Sequence, residues 1–182
     1  MTWIQTFSGR KFSLVDPQPE DVCLDDVIAA LGSIVRFNGH CRGQYTVLQH
    51  SIHVAECLPV GTAPALKLQA LLHDAPEAYY GDITRPQKIV YEQISGGKFA
   101  EWTKRIDQVV HLALGIAWPL APAVNLADAR VLATEARDLM GPPPQPWESL
   151  PAPLPYKISV WSPQWVYSRF VERYHEYHGA NP

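Results

Sequence analysis

The sequence has no run of apolar residues approaching the roughly 20 that a membrane-spanning helix requires. Its opening, "MTWIQTFSGRKF", carries no apolar signal core either. A cytoplasmic protein is expected on both counts. Cysteine is scarce: Cys23, Cys41 and Cys57 make an odd number without paired spacing, which argues against a disulfide framework or a structural zinc cluster. No sign of charge dominates. A formal net charge of -3 offers no broad basic surface to a nucleic acid polymer or a membrane. The phosphate cradle G-x-x-x-x-G-K-[ST] is missing too, so an anionic ligand would have to be met by local side chains or a metal.

What is present fits one domain over residues 1–182, since 47% hydrophobic and 18% charged residues suit a chain with a sizeable core. The expected fold class is mainly α, a helical bundle with a small N-terminal β-hairpin. "WIQTFSGRKFSLVDP" alternates around Ser8-Gly9 and predicts the hairpin. Val22, Val27, Ile28, Leu31, Ile34 and Val35 recur at helical spacing. Thr46 is a suitable N-cap for "VLQHSIHVAECL". Further helices are expected over "APALKLQALLHDA", "KFAEWTKRIDQVVHLALG" and "APAVNLADARVLATEARDLM", the last with Leu126, Val131, Leu132 and Leu139 facing the core. Seven prolines in residues 141–155 predict a semi-rigid strap. "YKISVWSP" suggests a short strand, and Ser162-Pro163 opens a final helix over 162–178.

"ALLHDAPEAYYGDITRP" places His73 and Asp74 side by side in an apolar run, with Pro76 breaking the helix just after them. His50 and Asp128 sit in similarly apolar helical segments. A buried carboxylate without a partner is costly, and a buried imidazole needs its nitrogens satisfied. One divalent cation answers all four needs, and two imidazoles with two carboxylates suit Zn, Mn, Fe or Co better than Ca or Mg. Spacing alone does not choose between His50 and His53, and Asp128 could instead pair with Arg130 or Arg137. Glu77, three residues past Asp74, would share its face on a continuing helix. Arg36 offers a planar fork for phosphate, or else a charge at a helix C-terminus.

The order H…HD…D resembles the HD superfamily of metal-dependent phosphohydrolases. "VLQHSIHVAE", "LLHDAPEAYYGDITRPQK" and "LADARVLATEARDL" are similar to the motif blocks of its small bacterial and phage 5′-deoxynucleotidase branch, the YfbR and YfdR type. "WIQTFSGRKF" and "VRFNGHCRGQY" look like the phage members, which include dATP triphosphohydrolases. The resemblance spans most of residues 3–140, the core motifs lying within 36–140. It implies His50, His73, Asp74 and Asp128 as ligands of one divalent transition metal (Zn, Co or Mn), with Mg possible on the substrate phosphates. Catalytic roles fall on Glu77 and Asp74. Arg36 and Lys88 would meet phosphate, Phe37 and Pro86 would pack against the nucleoside, and Asp82 would meet the sugar. Implied too are a deoxynucleotide substrate, tri- or monophosphate, the cytoplasm of a bacterium or phage-infected host, and a homo-oligomer. A non-catalytic nucleotide-binding module is the alternative, and the proline strap is the feature in its favour.

Overall fold

The computed structural model describes residues 1–147 and 149–179. Alternation around Ser8-Gly9 closes the hairpin as expected. β1 (Trp3–Gln5) pairs antiparallel with β2 (Lys11–Ser13), with Ile4 opposite Phe12. Phe12 is fully buried and its ring stacks on Tyr79 at 3.7 Å between centroids. The hairpin tip is latched by buried Asp26, whose carboxylate accepts from the Ser8 N–H at 2.6 Å and the Ser8 hydroxyl at 2.9 Å.

The helical spacing from Val22 to Val35 overstates the first helix. A turn of 3-10 helix (Pro19–Asp21) precedes α1 (Leu24–Leu31), which stops at Gly32. Val35 instead forms a bridge with Thr46, so the chain between them doubles back as a loop. Thr46 then caps α2 (Val47–Cys57), its hydroxyl accepting from the Gln49 N–H. Every residue from Val47 to Ala55 is buried, which marks α2 as the central helix of the bundle rather than a surface one. Around it pack α3 (Pro64–Leu71), α7 (Pro122–Leu139) and α8 (Pro163–Gly179).

α3 ends two residues before His73, earlier than the sequence suggests. The chain then turns through 72–76 into the single turn α4 (Glu77–Tyr80), which stops at Gly81, whose φ of +87° suits glycine alone. α5 (Arg85–Ser95) is a helix not among those expected, and α6 (Lys98–Ala113) follows as expected. Thr84 and Gln87 form a capping box at the start of α5, with Pro86 in its first turn, where the missing N–H costs nothing.

On α7 the buried stripe is Val124, Ala127, Val131, Thr134, Glu135 and Leu139. Leu126 is 58% exposed and Leu132 half-buried, correcting two of the four core assignments there. The described residues of the proline-rich strap are irregular, and no strand forms over 156–161. Side chains satisfy that backbone instead. Gln49 donates to the Ser159 carbonyl at 2.7 Å and accepts from the Trp161 N–H at 3.1 Å, while Asp138 accepts from the Ile158 N–H at 2.7 Å. These bonds tie the returning chain to α2 and α7.

Candidate metal centre

The site gathers where α2, α7 and the 72–76 turn meet. That turn shows how the local sequence builds it. Pro76 lacks an N–H, and the bonds around it are of the tighter 3-10 kind: Glu77 N–H to the Asp74 carbonyl at 2.9 Å, Tyr79 N–H to the Pro76 carbonyl at 3.0 Å. The His73 carbonyl, which a continuing α-helix would have bonded to Glu77, lies 3.2 Å from Nε2 of buried His111. The interrupted helix turns His73 and Asp74 toward α2 instead of along one stripe.

Each imidazole has its Nδ1 anchored. His50 Nδ1–H donates to Glu135 Oε1 at 2.6 Å, and His73 Nδ1–H donates to the Ala70 carbonyl at 2.9 Å. In a neutral ring the other nitrogen is then a lone pair. Both Nε2 atoms are buried without a hydrogen-bond partner. Yet Asp74 Oδ2 lies 3.5 Å from His50 Nε2 and 3.2 Å from His73 Nε2, and Asp128 Oδ1 lies 3.1 Å from His50 Nε2.

Lone pairs facing carboxylate oxygens repel unless a positive charge stands between them. The spacing fits an ion: tetrahedral ligands at ~2.1 Å stand about 3.4 Å apart. The ligand atoms of His50, His73 and Asp74 all lie within 4.8 Å of one another. These three residues form a cluster that could hold a metal ion. Asp128 meets His50 from the rim, its side chain 40% exposed, and stands one step outside the three-residue group.

In the metal-free protein a proton takes the cation's place. Burial and neighbouring Arg36 push the His50 pKa down, but Glu135 and Asp128 push it up and prevail, raising it to about 9. Below that pH a metal must displace the proton. Apparent metal affinity is therefore expected to rise about tenfold per pH unit up to about pH 9 and to level above it. Calorimetric manganese titrations at a series of pH values, corrected for buffer protonation, check this.

His53 is not an alternative to His50. Its ring lies among Tyr45, Tyr156 and Trp161, and burial lowers its pKa to about 4. Nor does Asp128 pair with Arg137, which binds Asp138 at 2.8 Å. Arg36 points into the site but is already engaged, its Nη2 at 3.2 Å from Glu135 Oε2 and its Nη1 at 3.8 Å from Asp74 Oδ2. Glu135 was not among the expected site residues. It is fully buried, and although burial alone would raise its pKa, Arg36 and His50 hold it down at about 2.

Phe37 adopts a left-handed backbone (φ 57°, ψ 29°), as does Asn38, at about 1–2 kcal/mol for each residue. Its ring lies under the Arg36 guanidinium at 5.3 Å and 6.3 Å from Trp147 of the strap. Glu77 is buried with one carboxylate oxygen unpartnered, and burial, with Asp74 and Asp82 nearby, pushes its pKa well up. Lys88 Nζ approaches it at 3.9 Å from the first turn of α5. Asp82 is half-buried in the loop between α4 and α5, while Pro86 is exposed. From Arg85 on, the segment that carries Pro86 and Lys88 is helix.

The uncharacterized protein YfdR of Escherichia coli K12 is 31% identical to this chain over 179 residues, which cover 97% of this chain and 96% of YfdR. The chain belongs to the YfdR family. An uncharacterized protein of Rhodobacter capsulatus is 33% identical over 148 residues, covering 76% of this chain and 74% of the relative. No protein-family profile matches the sequence. The YfdR match runs nearly end to end, so it takes in the strap and α8 as well as the segments that carry the candidate metal centre.

Proposed function

We propose that this YfdR-family chain is an HD-type, metal-dependent phosphohydrolase that removes 5′-phosphate, singly or as a chain, from deoxynucleotides. The supporting observation is the convergence of two imidazole lone pairs and Asp74 on one point, with a buried arginine on one side and a buried carboxyl beyond it. A divalent transition ion (Zn, Co or Mn) bound there would polarise a phosphoryl oxygen and bring the pKa of water toward neutrality.

The chain's own residues supply the rest. Arg36 presents guanidinium N–H groups to an incoming phosphate, in competition with the two carboxylates it already meets. Glu77, whose pKa burial pushes well up, could give a proton to the leaving oxygen. Lys88 adds positive charge on the Glu77 side. Asp82 is placed to accept from a sugar hydroxyl, and Phe37 and Pro86 offer flat surfaces to the nucleoside.

The phage-like opening favours a triphosphate such as dATP. Arg36 is already paired twice, and Lys88, 3.9 Å from Glu77, adds one exposed positive charge, a modest total that favours the monophosphate alternative. Incubating metal-loaded protein with deoxynucleoside and ribonucleoside mono- and triphosphates separates the readings. Deoxynucleotides should release phosphate or triphosphate clearly faster than ribonucleotides. Equal rates would remove the roles given to Phe37 and Asp82. Absence of hydrolysis with Mn, Co, Zn and Mg alike would favour the non-catalytic nucleotide-binding module.

A further inference from the structure

Glu135 lies two turns past Asp128 on the same face of α7 and has no solvent exposure. Its two oxygens divide their work: Oε1 accepts from His50 Nδ1–H at 2.6 Å, and Oε2 faces Arg36 Nη2 at 3.2 Å. We propose that Glu135 is the positioning residue of the metal centre, fixing the ring of His50 with Nε2 toward the cation while neutralising Arg36 beside it.

Two features of the site support this. The hydrogen bond at one imidazole nitrogen decides which nitrogen is left to bind a metal, and a carboxylate acceptor makes that ring a stronger ligand. His73 is anchored by a neutral carbonyl, that of Ala70, so a neutral acceptor suffices to orient a ring here. His50 alone receives an anion. The difference lies in Arg36, whose Nη1 is 3.8 Å from Asp74 Oδ2, the oxygen that faces both imidazoles. An uncompensated guanidinium at that distance would repel a divalent ion. Glu135 offsets it from the side away from Asp74 and orients His50 with the same carboxylate.

The inference rests on the metal half of the proposed function and not on hydrolysis. Its test is zinc affinity of the metal-free protein, by competition with a chromophoric chelator, for the parent and for Glu135→Gln. The amide oxygen can still accept from His50, but its charge is gone, and its N–H2 faces Arg36 as a donor. Zinc binding should weaken about 10- to 100-fold. In the zinc-loaded protein the His50 Nδ1–H proton, far downfield in the parent, should move upfield. A purely structural role would lower the melting temperature and leave that resonance in place.

If Glu135→Gln does not fold, Glu135→Asp, which keeps the charge but shortens the reach, carries the same two readouts. A folded variant that binds zinc within about twofold of the parent overturns the inference. So does weakened binding with an unmoved His50 resonance. A parent that takes up no zinc overturns the metal reading and this inference together.

Discussion

Asp74→Asn should leave the protein essentially without bound metal and without activity toward any nucleotide. Asp74 Oδ2 lies within 3.5 Å of both imidazole Nε2 atoms, and the carboxamide has no anionic oxygen to replace it. Loss of an outer partner of a metal ligand already costs 10- to 100-fold in affinity, so loss of the ligand itself should exceed about 100-fold. The substitution also removes an anion beside Arg36, His50 and His73, whose opposing charge holds the Asp74 pKa far below the usual carboxylate range despite its burial. A lower melting temperature of the metal-free variant is expected as well. Metal content by elemental analysis, alongside phosphate release, checks both. Retention of stoichiometric metal by Asp74→Asn would show that another set of ligands holds it.

Glu77→Gln should separate the two effects: metal content unchanged, turnover lost. The substitution is nearly isosteric, and it leaves the backbone bond from the Glu77 N–H to the Asp74 carbonyl in place. Proton transfer by a positioned side chain contributes about 10²- to 10⁴-fold, and the fall should appear in kcat with little change in KM. It should also change the pH profile. Burial together with Asp74 and Asp82 raises the Glu77 pKa, so the acid form persists above the ordinary carboxylate range. A descending limb of kcat at high pH, present in the parent, should vanish from the residual activity of Glu77→Gln. Equal activity of the two proteins would remove Glu77 from the chemistry.

The parts of this site that were legible in the sequence are those set by local chemistry. Thr46 announced α2, and Pro76 announced the break after the His-Asp pair. Apolar neighbours on His50, His73, Asp74 and Asp128 signalled ionisable groups in need of a partner. The choice between His50 and His53 needed the fold, because the two lie on adjoining faces of α2 and only packing says that one meets α7 and the other Trp161.

Glu135 left a signal in the sequence: a carboxylate seven residues after Asp128, two helical turns on, in a stripe that also holds Val124, Ala127, Val131, Thr134 and Leu139. The sequence misled where one pattern serves two structures. Ile34 and Val35 continue the helical period of α1, but Gly32 ends the helix and Val35 bridges Thr46. "YKISV" has the composition of a strand and no strand to pair with, so Gln49 and Asp138 take its backbone groups. Pro86, expected only as a surface against the nucleoside, sits in the first turn of α5.

Anomalous diffraction from a zinc-soaked crystal tests the central claim most directly. One strong peak is expected about 2.0–2.2 Å from His50 Nε2, His73 Nε2 and an Asp74 oxygen. Zinc bound elsewhere, with those three side chains in place and no peak between them, would contradict it.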